Sequence, residues 1–105
     1  MSAERLEQLK SILAQDPKNT FARYALGMEY SSADDTDSAL QEFRTLLEVD
    51  ASYANAFFMG AQALQRAERL DEAVQWLHDG IACAQRAGNR HAENEMQALL
   101  DELES

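Results

Sequence analysis

The stretch that decides the fold is residues 22–43, ARYALGMEYSSADDTDSALQEF, which reads as two helices joined by a short turn. Its first part is apolar over most of a helical circumference, as in a helix that packs on more than one side or presents a binding surface. Ala33-Asp34-Asp35 interrupts the apolar pattern, and Asp35 or Thr36 is suited to cap the next helix. The stretch therefore predicts a helical hairpin.

The composition favours helices along the whole chain. The strong helix formers Ala, Leu, Glu, Gln, Arg, Lys and Met make up 63 of the 105 residues, against two Val, two Ile, three Thr and one Pro. Ser2 is the predicted N-cap of the first helix, and Gly88-Asn89 is the predicted stop of the fifth. The apolar periodicity predicts six helices in an all-α fold, at about Ala3–Gln15, Thr20–Ser32, Thr36–Val49, Ala54–Ala67, Leu70–Ala87 and Arg90–Leu103.

The two central helix pairs repeat each other at a distance of 34 residues. The shift carries Asp16-Pro17 onto Asp50-Ala51, so the first helix corresponds to the second half of an incomplete unit. Small residues fall on small ones and large apolar residues on large ones: Ala22 on Ala56, Ala33 on Ala67, Ala39 on Ala73, Tyr24 on Phe58, Leu40 on Val74 and Phe43 on Leu77. Such self-similarity predicts stacked helical repeats.

A helix–turn–helix period of 34 residues resembles the tetratricopeptide repeat (TPR). The first full unit carries Leu26-Gly27-x-x-Tyr30, then Ala39 and Phe43, at the spacing of that family. It departs at Arg23, where a Trp is usual, and at Ala51, where a Pro is usual.

The second unit departs further from the family pattern. It keeps Ala61, Leu64 and the Asp71-Glu72-Ala73 entry to its second helix, but Gly60 stands where a Leu is usual. Gly80 likewise replaces a small or apolar residue.

The resemblance, to a small bacterial-type TPR protein, implies about six antiparallel helices in a right-handed superhelix. It divides one domain, 1–105, into a half repeat at 3–19, repeats at 20–53 and 54–87, and a C-terminal capping helix at 88–105. In the family geometry Gly27 and Ala39 face one another, which lets the two backbones approach closely.

The resemblance also implies where a partner binds, because the first helix of each unit lines a concave groove in this family. The alternative is that Tyr24 and Phe58 pack against the first helix and each other, and that the first helix covers part of the groove. The residues expected to face the groove are Phe21, Tyr24, Met28, Ser31, Asn55, Phe58, Gln62, Gln65 and Arg66.

The charge restricts the partner. Nineteen acidic against nine basic residues give a net charge of −10, which argues against nucleic acid and anionic membranes. The TPR subfamily that captures acidic C-terminal tails needs basic groups where Tyr24, Met28, Met59 and Gln62 stand. We therefore expect a basic or apolar protein or peptide partner for a non-catalytic adaptor, with homodimerisation as the alternative.

Few residues suit chemistry, so we expect no enzyme, metal or cofactor. His78 and His91 read as surface residues, and Cys83 as a small buried one. Asp34-Asp35 lacks the alternating ligands of a calcium loop and is better suited to a turn. Trp76 is predicted to pack beneath the last helix or to stand exposed as a contact residue.

The first ten residues indicate the cellular compartment of the protein. Met1–Lys10 lacks a basic start followed by an apolar core, so it does not resemble a secretory signal. A cytoplasmic protein is the expectation.

Overall fold

The protein is described from a computed structural model, which defines residues 3–105. Within that range it forms six α-helices and no β-strand, which confirms the all-α prediction. The helices are α1 (Ala3–Gln15), α2 (Thr20–Ser32), α3 (Thr36–Val49), α4 (Ala54–Arg66), α5 (Leu70–Ala87) and α6 (Arg90–Glu104). They fall into two compact units, Met1–Asp50 and Ala51–Ser105. The repeat limits 20–53 and 54–87 stay predictions.

The helix ends follow local capping chemistry. Four helices begin and end at the predicted residues, while α4 ends one residue earlier and α6 one residue later. The Asp35 side chain accepts a hydrogen bond from the Ser38 amide at 3.3 Å, so Asp35 rather than Thr36 caps α3. Asn19 caps α2 in the same way, although it was not among the predicted caps. The predicted Ser2 cap lies outside the described residues.

The first unit has an apolar seam between α1 and α2. Leu9 and Leu13 of α1 pack against Ala22, Ala25 and Leu26 of α2. The rest of the seam consists of the partly buried Leu6 and Tyr30. An Arg5–Glu29 ion pair joins the start of α1 to the end of α2, so the two helices run antiparallel.

The α2–α3 contact is built on Gly27 and Phe43. A methyl group at Gly27 would lie only 2.6 Å from Cε1 of the fully buried Phe43 ring. The nearest side chain across the helix pair is thus Phe43, and the expectation that Gly27 faces Ala39 stays a prediction. Phe43 stands one helical turn after Ala39, and its long side chain reaches the gap that the glycine leaves.

Gly27→Leu is expected to lower the free energy of unfolding by about 1–3 kcal/mol, because the new side chain overpacks the Phe43 ring. Urea unfolding followed by circular dichroism measures the change. Ser32→Leu is the matched control, since Ser32 is exposed on the same helix. A Gly27→Leu variant as stable as the wild type would refute this packing.

The second unit uses glycines to admit large side chains. A methyl group at Gly60 of α4 would overlap Cε3 and Cζ3 of Trp76, whose ring also meets Phe57 with centroids 6.0 Å apart. Trp76 is buried against α4, so the expectation that it stands exposed was wrong, while packing beneath the last helix stays a prediction. Gly80 of α5 lies between Phe57 of α4 and Met96 of α6.

Three helices, α2, α4 and α5, each end in a turn of the same type. Asp34, Glu68 and Gly88 each have φ between 60° and 69°, the left-handed region. In the turn at Glu68 the amide of Glu68 donates to the Gln65 carbonyl and that of Arg69 to the Leu64 carbonyl. This is the Schellman arrangement, which favours glycine at its left-handed position. The predicted stop at Gly88 is thereby confirmed.

Glu68→Gly is expected to raise the free energy of unfolding by roughly 0.5–1 kcal/mol, since glycine removes the steric cost of a side chain at positive φ. Asp34→Gly should gain less, because aspartate tolerates this conformation better. Gly88→Ala, the inverse change in the same type of turn, should destabilise. Thermal melts of the three variants test the order, and a destabilised Glu68→Gly would contradict it.

Candidate partner-binding surfaces

One side of α2 carries the most exposed aromatic ring of the described chain. Phe21 is 75% exposed, and Met28, two helical turns later on the same side, is half-buried. Tyr24 lies between them and is also half-buried, with its ring 6.1 Å from that of Phe43. We call Phe21, Tyr24 and Met28 the α2 face. Ser31, the fourth residue expected here, is only 6% exposed and offers no such surface.

The ring of Tyr24 contacts the third helix of the first unit. Tyr24 contacts Phe43 of α3, while the seam with α1 is formed by other α2 residues. The alternative that Tyr24 also packs against the first helix stays a prediction. Tyr24 still keeps part of its ring in solvent, so it both supports α3 and contributes surface.

One side of α4 presents amides and apolar groups. All five predicted residues of this helix are exposed or half-buried. Met59, one turn after Asn55, belongs to the same side and is half-buried; its four-residue spacing was the signal that would have added it. The α4 face consists of Asn55, Phe58, Met59, Gln62, Gln65 and Arg66.

Charge is nearly absent from these two helices. No carboxylate occurs in α4, and the single one in α2, Glu29, pairs with Arg5. Arg23 donates from Nη1 to Glu42 at 2.9 Å and from Nη2 to the Pro17 carbonyl at 3.0 Å. Its position, where the family usually has a Trp, therefore serves the α2–α3 contact.

The residues considered for chemistry do not converge. His78 and His91 are both exposed, and Nε2 of His91 lies 3.2 Å from Glu95. Cys83 is buried and donates from Sγ to the Ala51 carbonyl at 3.2 Å, beside a cavity of about 200 Å³. Within residues 3–105 no three His, Cys, Asp or Glu side chains group as a metal site would need.

The six helices of the described chain are 13 to 18 residues long. None of them is both long enough and apolar enough to cross a membrane.

Six helices with 34-residue self-similarity, small residues at helix contacts and apolar first-helix faces define an α-helical repeat protein. The chain belongs to the tetratricopeptide repeat family. A TPR repeat-containing protein of Pseudomonas aeruginosa is 31% identical over 99 residues, covering 94% of each chain. Members of this family are protein–protein interaction modules. No protein-family model matches the chain.

Solved structures agree with the assignment. A Bordetella parapertussis protein, solved in solution, is 32% identical, with a TM-score of 0.81 over 98% of this chain and 89% of its own. A TPR domain protein of Salinibacter ruber is 30% identical, with a TM-score of 0.75 over 85% and 90% of the two chains. The TPR2B domain of yeast Sti1, solved in a complex with pHsp70, shares the fold at 12% identity, with a TM-score of 0.83 over 94% of this chain and 79% of its own.

Proposed function

We propose that this protein is a non-catalytic adaptor that binds another protein or peptide, with the α2 face of the first unit and the α4 face of the second unit each as a contact surface. The observation that carries the proposal is the large exposed ring of Phe21 on a helix with almost no unpaired charge. Protein interfaces have this composition at their centres, where aromatic residues and Met are enriched and charged residues are depleted. Membership of an interaction-module family supports the same conclusion.

The expected partner is basic or apolar. The net charge of −10 accelerates encounter with a basic protein, whereas the α2 and α4 faces themselves suit apolar contact. Capture of an acidic tail is not proposed for this chain, although the Sti1 domain shares its fold. Tyr24, Met28, Met59 and Gln62 stand where the acidic-tail subfamily has basic groups, and none of them is basic.

Homodimerisation through the first helix is less well supported than partner binding, while homodimerisation through the apolar faces stays an alternative. Outside the seam with α2, the surface of α1 is mostly polar, and Ile12 is its one large exposed apolar side chain at 44%. A helix pairing with a second copy needs a continuous apolar stripe, which α1 does not offer. Light scattering over a concentration series tests this alternative, since a dimer would form without any partner.

Cytoplasmic location stays a prediction.

The test is a pull-down from the native cell extract read by mass spectrometry. Phe21→Glu/Gln62→Glu places one carboxylate on each face, and we expect it to lose a protein that the wild type enriches. Tyr24→Glu is avoided because it removes the ring contact with Phe43 and would confound binding with folding. Both chosen positions lie at the surface, so the fold should survive, which thermal melts verify.

Ile12→Glu/Leu70→Glu is the matched control. It places the same two carboxylates on exposed apolar residues of α1 and α5, outside the two faces. The proposal predicts full enrichment by this control variant. Equal enrichment by the wild type, the Phe21→Glu/Gln62→Glu variant and the control variant would show that the binding surface lies elsewhere. That result would contradict the proposal.

A further inference from the structure

Two helices of this chain, α2 and α4, carry very few of its charged side chains. Together α2 and α4 contain 26 residues, a quarter of the chain, yet they hold only three of its 28 charged side chains, Arg23, Glu29 and Arg66. Two of the three are engaged within the first unit, Arg23 with Glu42 and Glu29 with Arg5. The large negative charge therefore resides on the other helices and the turns.

The nature of these faces decides which partner gains most from close contact. A Lys or Arg of a partner lying on the α2 face would give up water without meeting a carboxylate of that face, which is unfavourable. An apolar side chain in the same place would remove its own surface and that of Phe21 from water, which is favourable. Contact chemistry thus opposes the preference that the net charge alone suggests.

The α4 face of the second unit has a contact chemistry of its own. Gln62 and Gln65 are half-buried amides, each of which can both donate and accept hydrogen bonds. Such groups pair with the N–H and C=O groups of a peptide backbone and need no charge on the partner. They are compatible with a segment whose side chains are apolar.

We infer that the segment bound by this protein is apolar and uncharged, and that Phe21 and Met28 are its main contacts on α2. This inference rests on the proposed adaptor function and narrows its partner class from basic or apolar to apolar. Binding is then held by buried apolar surface, so its affinity is nearly independent of ionic strength. A basic segment would behave in the opposite way, because screening weakens attraction between charges.

The probe is a phage-displayed library of random peptides, selected on the wild-type protein. Sequencing shows the composition of the enriched peptides, and the best of them is synthesised for titration at low and high ionic strength. We expect sequences rich in Leu, Ile, Phe or Met and poor in Lys and Arg, with a Kd that changes less than about threefold between the two salt conditions. Replacing two apolar residues of that peptide by lysine should weaken binding.

Variants of the protein test where the selected peptide binds. Phe21→Glu should weaken binding of the selected peptide about tenfold or more, while Ile12→Glu, a change at an exposed apolar residue on α1, should leave it unchanged. Met28→Gln, which adds no charge, serves as a second variant of the same face and should also weaken binding.

The outcomes separate the inference from the proposed function. Enriched peptides that are rich in Lys and Arg, salt-sensitive and still lost in Phe21→Glu would overturn the apolar partner but leave the adaptor proposal standing. Apolar peptides that bind Phe21→Glu as well as wild type would overturn the assignment of the α2 face. If no peptide is enriched, the inference fails, and the pull-down alone decides the function.

Discussion

Gly80→Ala is expected to lower the free energy of unfolding by about 2 kcal/mol, although alanine is the better helix former. The new methyl group would lie 2.6 Å from Cβ of Phe57 and 2.5 Å from Sδ of Met96. Helix propensity favours alanine by about 1 kcal/mol. Overpacking costs about 1–3 kcal/mol, and the upper part of that range applies because Cβ of Phe57 is fixed to the α4 backbone.

Urea unfolding followed by circular dichroism measures this effect. His78→Ala is the control, since His78 is exposed two residues away on the same helix and its replacement should change stability by less than about 0.5 kcal/mol. A Gly80→Ala protein more stable than the wild type would show that α4, α5 and α6 leave room for a methyl group at this position.

The effect of Gly60→Ala on the free energy of unfolding is expected to change sign when the residue at position 76 is changed. With Trp76 present, the methyl group overlaps the indole ring, and the overpacking cost of about 1–3 kcal/mol outweighs the gain of about 1 kcal/mol in helix propensity, so stability falls by up to about 2 kcal/mol. In a Trp76→Leu background the ring is gone, and the same substitution should gain up to about 1 kcal/mol from helix propensity. The two sites should therefore be coupled by about 1–3 kcal/mol, the overpacking cost that is present only with Trp76.

A double-mutant cycle tests the coupling, again by circular dichroism because Trp76 is the single tryptophan of the chain. Trp76→Leu itself creates a cavity and lowers stability, which the cycle subtracts. Additive effects of Gly60→Ala and Trp76→Leu would mean that the two residues do not share a contact. Glycine at position 60 would then not be needed to admit the indole ring.

The helices were predictable because their signals are local. Apolar spacing sets each helix, and its ends are set by nearby residues such as Asp35 and Gly88, whose side chain or backbone acts within four positions. The family was predictable for a related reason. A 34-residue period is a property of the chain itself and needs no knowledge of which helices meet.

The candidate surfaces were predictable only in part. Helical periodicity places Phe21 and Ser31 on similar sides of α2, yet one is 75% and the other 6% exposed. Ser31 lies one turn after Gly27, towards the side that meets Phe43 of α3. Which edge of an apolar helix a neighbour covers depends on where that neighbour lies, and the spacing of residues within α2 does not contain this information.

The sequence by itself therefore determined the six helices, the helix stop at Gly88, the family and the near absence of charge on α2 and α4. Only the tertiary structure decided which large side chain fills each glycine gap: Phe43 at Gly27, Trp76 at Gly60, and Phe57 with Met96 at Gly80. The physical reason is that helix formation depends on neighbours within about one turn of the chain, whereas packing depends on side chains that the fold brings together from distant positions.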